Sequence, residues 1–113
     1  MEFRLDIYNG KEVEKTYIAN DFMLTTGTAE DMLKLVDIDK LAGGLNDEGA
    51  ILEVVKIVAK AFNSFNPLMK EIFEGLTDDE YRRTHIVEVG KVVLDVLKYT
   101  FAELFSATSS GKN

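Results

Sequence analysis

The chain has 113 residues, of which 46% are hydrophobic and 29% charged, with a formal net charge of −7. That length suits one domain able to bury a core without metal or disulfide staples. With no Cys and a single His, the sequence offers no disulfide framework, thiolate zinc site, cysteine nucleophile or multi-histidine metal site. The acidic balance argues against nucleic acid and against an anionic membrane surface as partner. No apolar run reaches the ~18–20 residues of a membrane span. Met1-Glu2-Phe3-Arg4-Leu5-Asp6 is neither a signal nor a transit peptide. A soluble cytoplasmic protein is the expectation.

In residues 1–8, Phe3, Leu5 and Ile7 alternate with Glu2, Arg4 and Asp6, the period of a half-buried strand. Asn9-Gly10 marks a turn, and Val13 to Ile18 reads as the second strand of a hairpin. A two-residue Asn9-Gly10 loop would set Glu12 and Glu14 against Ile7 and Leu5. A loop of three or five residues instead brings Val13 and Tyr17 onto the apolar face, with Gly10 at positive φ as in a G1 bulge. Residues 19–27 connect, with a short extended piece at Phe22-Met23-Leu24. Thr28 is the expected N-cap of a helix running to about Leu41, with Glu30 and Asp31 in its first turn and Gly43-Gly44 as its stop.

Asn46-Asp47 opens a mostly apolar helix whose polar stripe is only Glu53, Lys56, Lys60 and Asn63. Pro67 pushes Asn66 out of the helical region and starts a short helix, Leu68 to about Leu76. Thr77 and Glu80 form a capping box for a helix from about Asp78, and Arg82-Arg83-Thr84-His85 interrupts it. From Ile86 a long helix continues to about Phe105, with a polar stripe of Glu88, Lys91, Asp95, Lys98 and Glu103. The Ser/Gly-rich residues 106–113 read as a disordered tail. The expected fold class is therefore α+β, mostly α: an N-terminal β-hairpin and connection over 1–24, then four or five helices over 28–105, in a single domain of residues 1–105.

Catalytic signals are sparse. His85 is the one histidine for acid–base work, and a helix-joint histidine is the simpler reading. Asp78-Asp79-Glu80 resembles a carboxylate cluster, but helix capping already accounts for it. Asp37-Ile38-Asp39 runs into Lys40-Leu41-Ala42, which breaks a calcium-loop pattern. Gly43-Gly44 lacks the Lys-Ser/Thr of a phosphate loop, and there is no Gly-x-Ser-x-Gly elbow. No enzyme, metal or cofactor is expected. What remains is surplus apolar helix surface, the kind of surface that grips a partner helix.

Residues 66–81, Asn-Pro-Leu-Met-Lys-Glu-Ile-Phe-Glu-Gly-Leu-Thr-Asp-Asp-Glu-Tyr, resemble the tail assembly chaperones of long-tailed bacteriophages and prophages of Gram-positive hosts. In that family a short helix ends in a Phe-x-Gly-Leu-Thr-x-Glu-Glu-like turn before a longer helix, and Ile86-Val-Glu-Val-Gly-Lys-Val-Val looks like its start. The likeness covers residues 50–105 best, through hydrophobic spacing and a cap. It implies a non-catalytic chaperone that binds and solubilises the tape measure protein, promotes tail tube protein assembly around it, and is absent from the mature virion. A homo-oligomer in the bacterial host cytoplasm is also implied. So is a longer frameshifted form, which Ser109-Ser-Gly-Lys-Asn113 suits because Gly-Lys and Lys-Asn codons are rich in G and A. From the residues themselves, Leu97, Phe101, Leu104 and Phe105, then Phe62 and Phe65, are the expected partner contacts. Two alternatives stand beside this: a small acidic helical adaptor or regulator that dimerises through its last helix, and a metal-dependent enzyme using Asp78, Asp79, Glu80 and His85.

Overall fold

In a computed structural model of the chain, which describes residues 2–37 and 47–100, an antiparallel hairpin precedes a set of helices. Strand β1 (Phe3–Asn9) pairs with β2 (Glu12–Ala19). Helices α1 (Thr26–Leu35) and α2 (Asp47–Lys60) follow. A 3-10 turn over Phe62–Phe65 then runs into α3 (Asn66–Ile72), and α4 (Asp78–Arg82) and α5 (Ile86–Thr100) complete the order. The α+β, mostly α class is as the periodicities predict.

The hairpin reaches its register by a different device from the one expected. Asn9 pairs with Glu12, so the loop is the two residues Gly10-Lys11. Gly10 takes φ +65° and, among the described residues, no non-glycine has positive φ, the pattern of a type II′ turn. The apolar face is recovered further along, where Tyr8 pairs with Val13 but Ile7 pairs with Lys15. Glu14 is thus the extra residue of a β-bulge, which moves the acids off the core face. Tyr17 then sits opposite Leu5, whereas Val13 remains 49% exposed. Phe3, Leu5 and Ile7 are all buried. The opposite face is polar: the Thr16 hydroxyl donates to Asp6 at 2.7 Å, with Arg4 3.6 Å from the same carboxylate.

The first helix starts three residues early. Thr25, not Thr28, is the N-cap, and its Oγ1 accepts from the Thr28 amide at 3.2 Å. Thr28 is buried and donates its hydroxyl to Glu71 of α3 at 2.8 Å. Glu71 also accepts from the Thr25 amide and hydroxyl, each at 3.1 Å. A carboxylate from another helix therefore does the work expected of Glu30 and Asp31 at the positive end of the dipole. Burial opposes ionisation of Glu71, but these three donors together outweigh it and hold the carboxyl below its ordinary range. The helix ends at Leu35, since Val36 turns to extended backbone and buries its side chain in the core. Gly43-Gly44 lies outside the described residues. In the connection, Phe22 and Leu24 are half-buried while Met23 is 89% exposed, an extended alternation without strand pairing.

Asn66 is also a correction. It is helical (φ −57°, ψ −48°) because the 3-10 turn feeds directly into α3, and Pro67 occupies the first turn behind it. Its amide nitrogen reaches forward to Asp78 Oδ1 at 2.8 Å. The capping box at Thr77 is present in both halves: Glu80 N–H donates to Thr77 Oγ1 at 3.1 Å, and Thr77 N–H donates to Glu80 Oε1 at 3.0 Å. Gly75, at φ +91°, supplies the left-handed turn between Phe73 and this cap.

A two-stranded hairpin is marginal alone. Here the outer edge of β1 is closed by the α4–α5 joint. Tyr8 N–H donates to the Arg83 carbonyl at 2.8 Å, Arg83 Nη1 donates back to the Tyr8 carbonyl at 3.0 Å, and Asp6 N–H donates to Glu88 at 3.4 Å. On the β2 side, the Tyr17 hydroxyl donates to Glu80 at 2.6 Å and Lys15 reaches the same carboxylate at 3.1 Å. One hydrophobic core runs from β1 through Met32, Val54, Val58, Met69, Tyr81 and Val93. Among the described residues, no helix is long and apolar enough to cross a membrane.

Candidate functional site

The three acids at the start of α4 point to three different cations or donors. Asp78 meets Lys70 at 2.6 Å, Asp79 meets Arg83 at 3.1 Å, and Glu80 takes Tyr17, Lys15 and the Thr77 amide. The hydrogen bond from Tyr17 is the main reason the Glu80 carboxyl falls to about 2; burial opposes it, and Thr77 and Lys15 add to it. Lys70, with help from Asn66, holds the Asp78 carboxyl below its ordinary range. Among the described residues, no three acidic or histidine side chains converge as a metal would need. These carboxylates cap, pin and tether.

His85 stands apart from them. Its ring stacks on Tyr8 at 3.5 Å between centroids and 4° between planes, and Nδ1 lies 3.8 Å from Glu88 Oε2. The Tyr8 hydroxyl donates to that same oxygen at 2.7 Å, which with burial and the charges of Glu88 and Asp6 pushes the phenol up to about 12. A phenol so held is a fixed donor, and the cluster staples β1 to the start of α5.

The surface with unspent capacity is the seam between α2 and α5. Val55 faces Gly90, and one turn earlier Ile51 shares a groove with Leu94, so the two helices run antiparallel. Gly90 is what lets them close up, since a Cβ there would lie 2.5 Å from Val55 Cγ2. On the outer side the seam opens into a groove of about 210 Å3 lined by Ile51, Lys91, Leu94, Asp95 and Lys98. With 3.6 residues per turn, Ile51, Val55, Leu52 and Lys56 succeed one another round α2 from the seam outward. Gly90, Leu94, Lys98 and Lys91 do so round α5. Leu52, next to Ile51 on α2, is 58% exposed. Desolvation at the groove wall raises the Asp95 carboxyl, and Lys98 partly offsets this.

The expected contact residues are distributed differently. Leu97 and Phe65 are buried core residues, at 0% and 1% exposure, and so are no surface for a partner in this fold. Phe62 is half-buried and stacked on Tyr81 at 3.9 Å, with its carbonyl accepting from the Tyr81 hydroxyl at 2.7 Å. Phe101, Leu104 and Phe105 lie outside the described residues. Leu52 was visible in the sequence as one apolar residue among many; its place two positions from core-facing Val54, on the far side of the helix, was the signal for its exposure. Comparison with protein-family models, curated proteins and solved structures finds no match to this chain.

Proposed function

We propose that this chain is a non-catalytic protein-binding chaperone that holds an amphipathic helix of a longer partner against the α2–α5 seam. The observation that carries the reading is the groove beside Ile51 and Leu94, with exposed Leu52 next to Ile51 on α2. Such a surface suits helical ligands, which dock through anchors three and four residues apart. With the resemblance of residues 66–81, the specific proposal is a tail assembly chaperone of a phage or prophage. Its partners would be the tape measure protein and the tail tube protein, its place the bacterial host cytoplasm, and its working form a homo-oligomer.

Co-expression with the longest helical protein encoded just downstream tests this. Soluble partner should be recovered with the wild-type chain and lost with Leu52→Asp, while far-UV circular dichroism of the variant stays unchanged. Insoluble partner in both cases refutes the chaperone reading. A second reading, a helical adaptor that dimerises through its last helix, is favoured by Tyr99, which is 55% exposed on α5. It predicts a discrete dimer dissociated by Tyr99→Asp.

A further inference from the structure

Along an antiparallel ladder, residues alternate between pairs that exchange backbone hydrogen bonds and pairs whose N–H and C=O groups point outward. The clasp on β1 fixes that alternation here. Tyr8 N–H and Asp6 N–H both bond outward, to the Arg83 carbonyl and to Glu88. Their partners Val13 and Thr16 therefore point their backbone groups outward on β2, as does Ile18 opposite Arg4. Among the described residues, no hydrogen bond reaches these outward groups. The side chains of all three share the face away from the core, where Val13 is 49% and Ile18 56% exposed. Natural proteins guard a free edge with charges, prolines or bulges. The bulge at Glu14 guards one end of β2, but Glu14 is drawn to Arg83 at 3.4 Å and Lys15 to Glu80 at 3.1 Å. From Thr16 to Ala19 the edge carries no charge and no proline.

We infer that a second copy of this chain occupies the edge, β2 against β2 across a two-fold axis. Outward-pointing residues must face each other to exchange hydrogen bonds, and Thr16 and Ile18 are the two on the regular stretch beyond the bulge. Thr16 pairs with the partner's Ile18, and Ile18 with the partner's Thr16, which forms four backbone hydrogen bonds with Tyr17 at the axis. Lys15 then lies opposite the partner's Ala19, so no like charges face each other, and the two Ile18 side chains become diagonal neighbours on the outer face. The product is a four-stranded sheet in the order β1–β2–β2–β1. Both of its outer strands are β1, whose edge the α4–α5 joint already closes. That is what selects a second copy, since a lone peptide strand added to β2 would itself become a new open edge. The pairing rests on the proposed homo-oligomer, to which it gives an interface, and uses none of the residues of the α2–α5 seam. Its failure therefore leaves partner docking at the seam standing.

The test is sedimentation velocity of the whole chain across a concentration series, at physiological salt so that the net charge of −7 on each copy is screened. The wild type should sediment as a dimer, and Ile18→Lys as a monomer with unchanged far-UV circular dichroism. Amide hydrogen exchange, read residue by residue by NMR, locates the contact. The Thr16 and Ile18 amides should be protected in the wild-type dimer, and the Thr16 amide should lose that protection in Ile18→Lys. Should the variant fail to fold, the wild-type amides decide alone. A wild-type chain that stays monomeric throughout overturns the inference. So does a dimer in which these two amides exchange freely. A dimer that survives Ile18→Lys but is dissociated by Tyr99→Asp belongs to the last helix and overturns it as well.

Discussion

Replacing Gly90 by Ala sets local preference against tertiary packing. A glycine inside a helix costs ~1 kcal/mol relative to alanine, so on local grounds Gly90→Ala stabilises. The neighbouring helix opposes it. The new methyl would lie 2.5 Å from Val55 Cγ2, against the 3.5–4.0 Å of an ordinary carbon contact, so one side must retreat by about 1 Å or more. Val55 has little room to yield, because a β-branched side chain on a helix has one strongly preferred rotamer. Overpacking of this kind costs ~1–3 kcal/mol. Set against the propensity gain, the net effect is a loss of ~1 kcal/mol, or about 4–8 °C in melting temperature for a domain of this size. In a Val55→Ala background the obstructing methyl is gone and the nearest remaining Val55 atom is the Cα at 3.5 Å. There Gly90→Ala should stabilise by ~1 kcal/mol, giving a coupling of ~2 kcal/mol across the double-mutant cycle. Urea unfolding of the four proteins, followed at 222 nm, measures it. If Gly90→Ala stabilises both backgrounds equally, α2 and α5 do not approach as described, and the groove between them loses its basis.

Acid should unfold the protein through its tethered carboxylates. Folding holds Glu80 at about 2 against an ordinary 4.5, and lowers Glu71 and Asp78 as well. Their contribution is therefore present above about pH 4.5 and is lost as the pH falls toward 2. Urea midpoints at pH 7, 4 and 3 should drop in that order, and Glu80→Gln should be less stable at pH 7 with a shallower fall; an unchanged fall refutes the assignment to Glu80. Leu97→Asp places a charge at a fully buried site and should leave the chain unfolded at 25 °C, whereas Leu52→Asp should change stability by no more than ~0.5 kcal/mol. Circular dichroism separates the two, and comparable helix loss in both would return Leu52 to the core. Thr25→Ala removes the N-cap of α1 and one donor to Glu71, at a cost of ~1–2 kcal/mol, while Thr28→Ala leaves the cap in place. An unshifted midpoint for Thr25→Ala would refute the cap.

The parts of the fold legible in the sequence were those fixed by neighbours in the chain. Thr77 and Glu80 contain both halves of their capping box within four residues. The alternation of Phe3, Leu5 and Ile7 needs nothing beyond itself. What escaped was settled across the molecule. Thr25 and Thr28 are both able to cap, and the choice belongs to Glu71, 46 residues from Thr25. The register problem of the hairpin was visible, but a bulge at Glu14 and an odd-length loop repair the same pattern, and the sequence alone does not choose between them. Leu97 and Phe65 looked spare because helical periodicity reports one apolar face, not how many neighbours share it. The α2–α5 groove left no motif at all: its key residue for close packing, Gly90, reads locally as a weak point in a helix.

The staple of Tyr8 to Glu88 joins residues 80 apart. On a ribosome adding 5–20 residues per second, the hairpin emerges roughly 3–14 s before the residues that close its edge. Through that interval β1 carries unpaired backbone groups and an apolar face, and the hairpin is too small to hold itself. The nascent chain is thus most exposed to strand pairing with its neighbours while it is still being made. The Arg83 clasp and the Glu88 anchor are the step that ends this exposure.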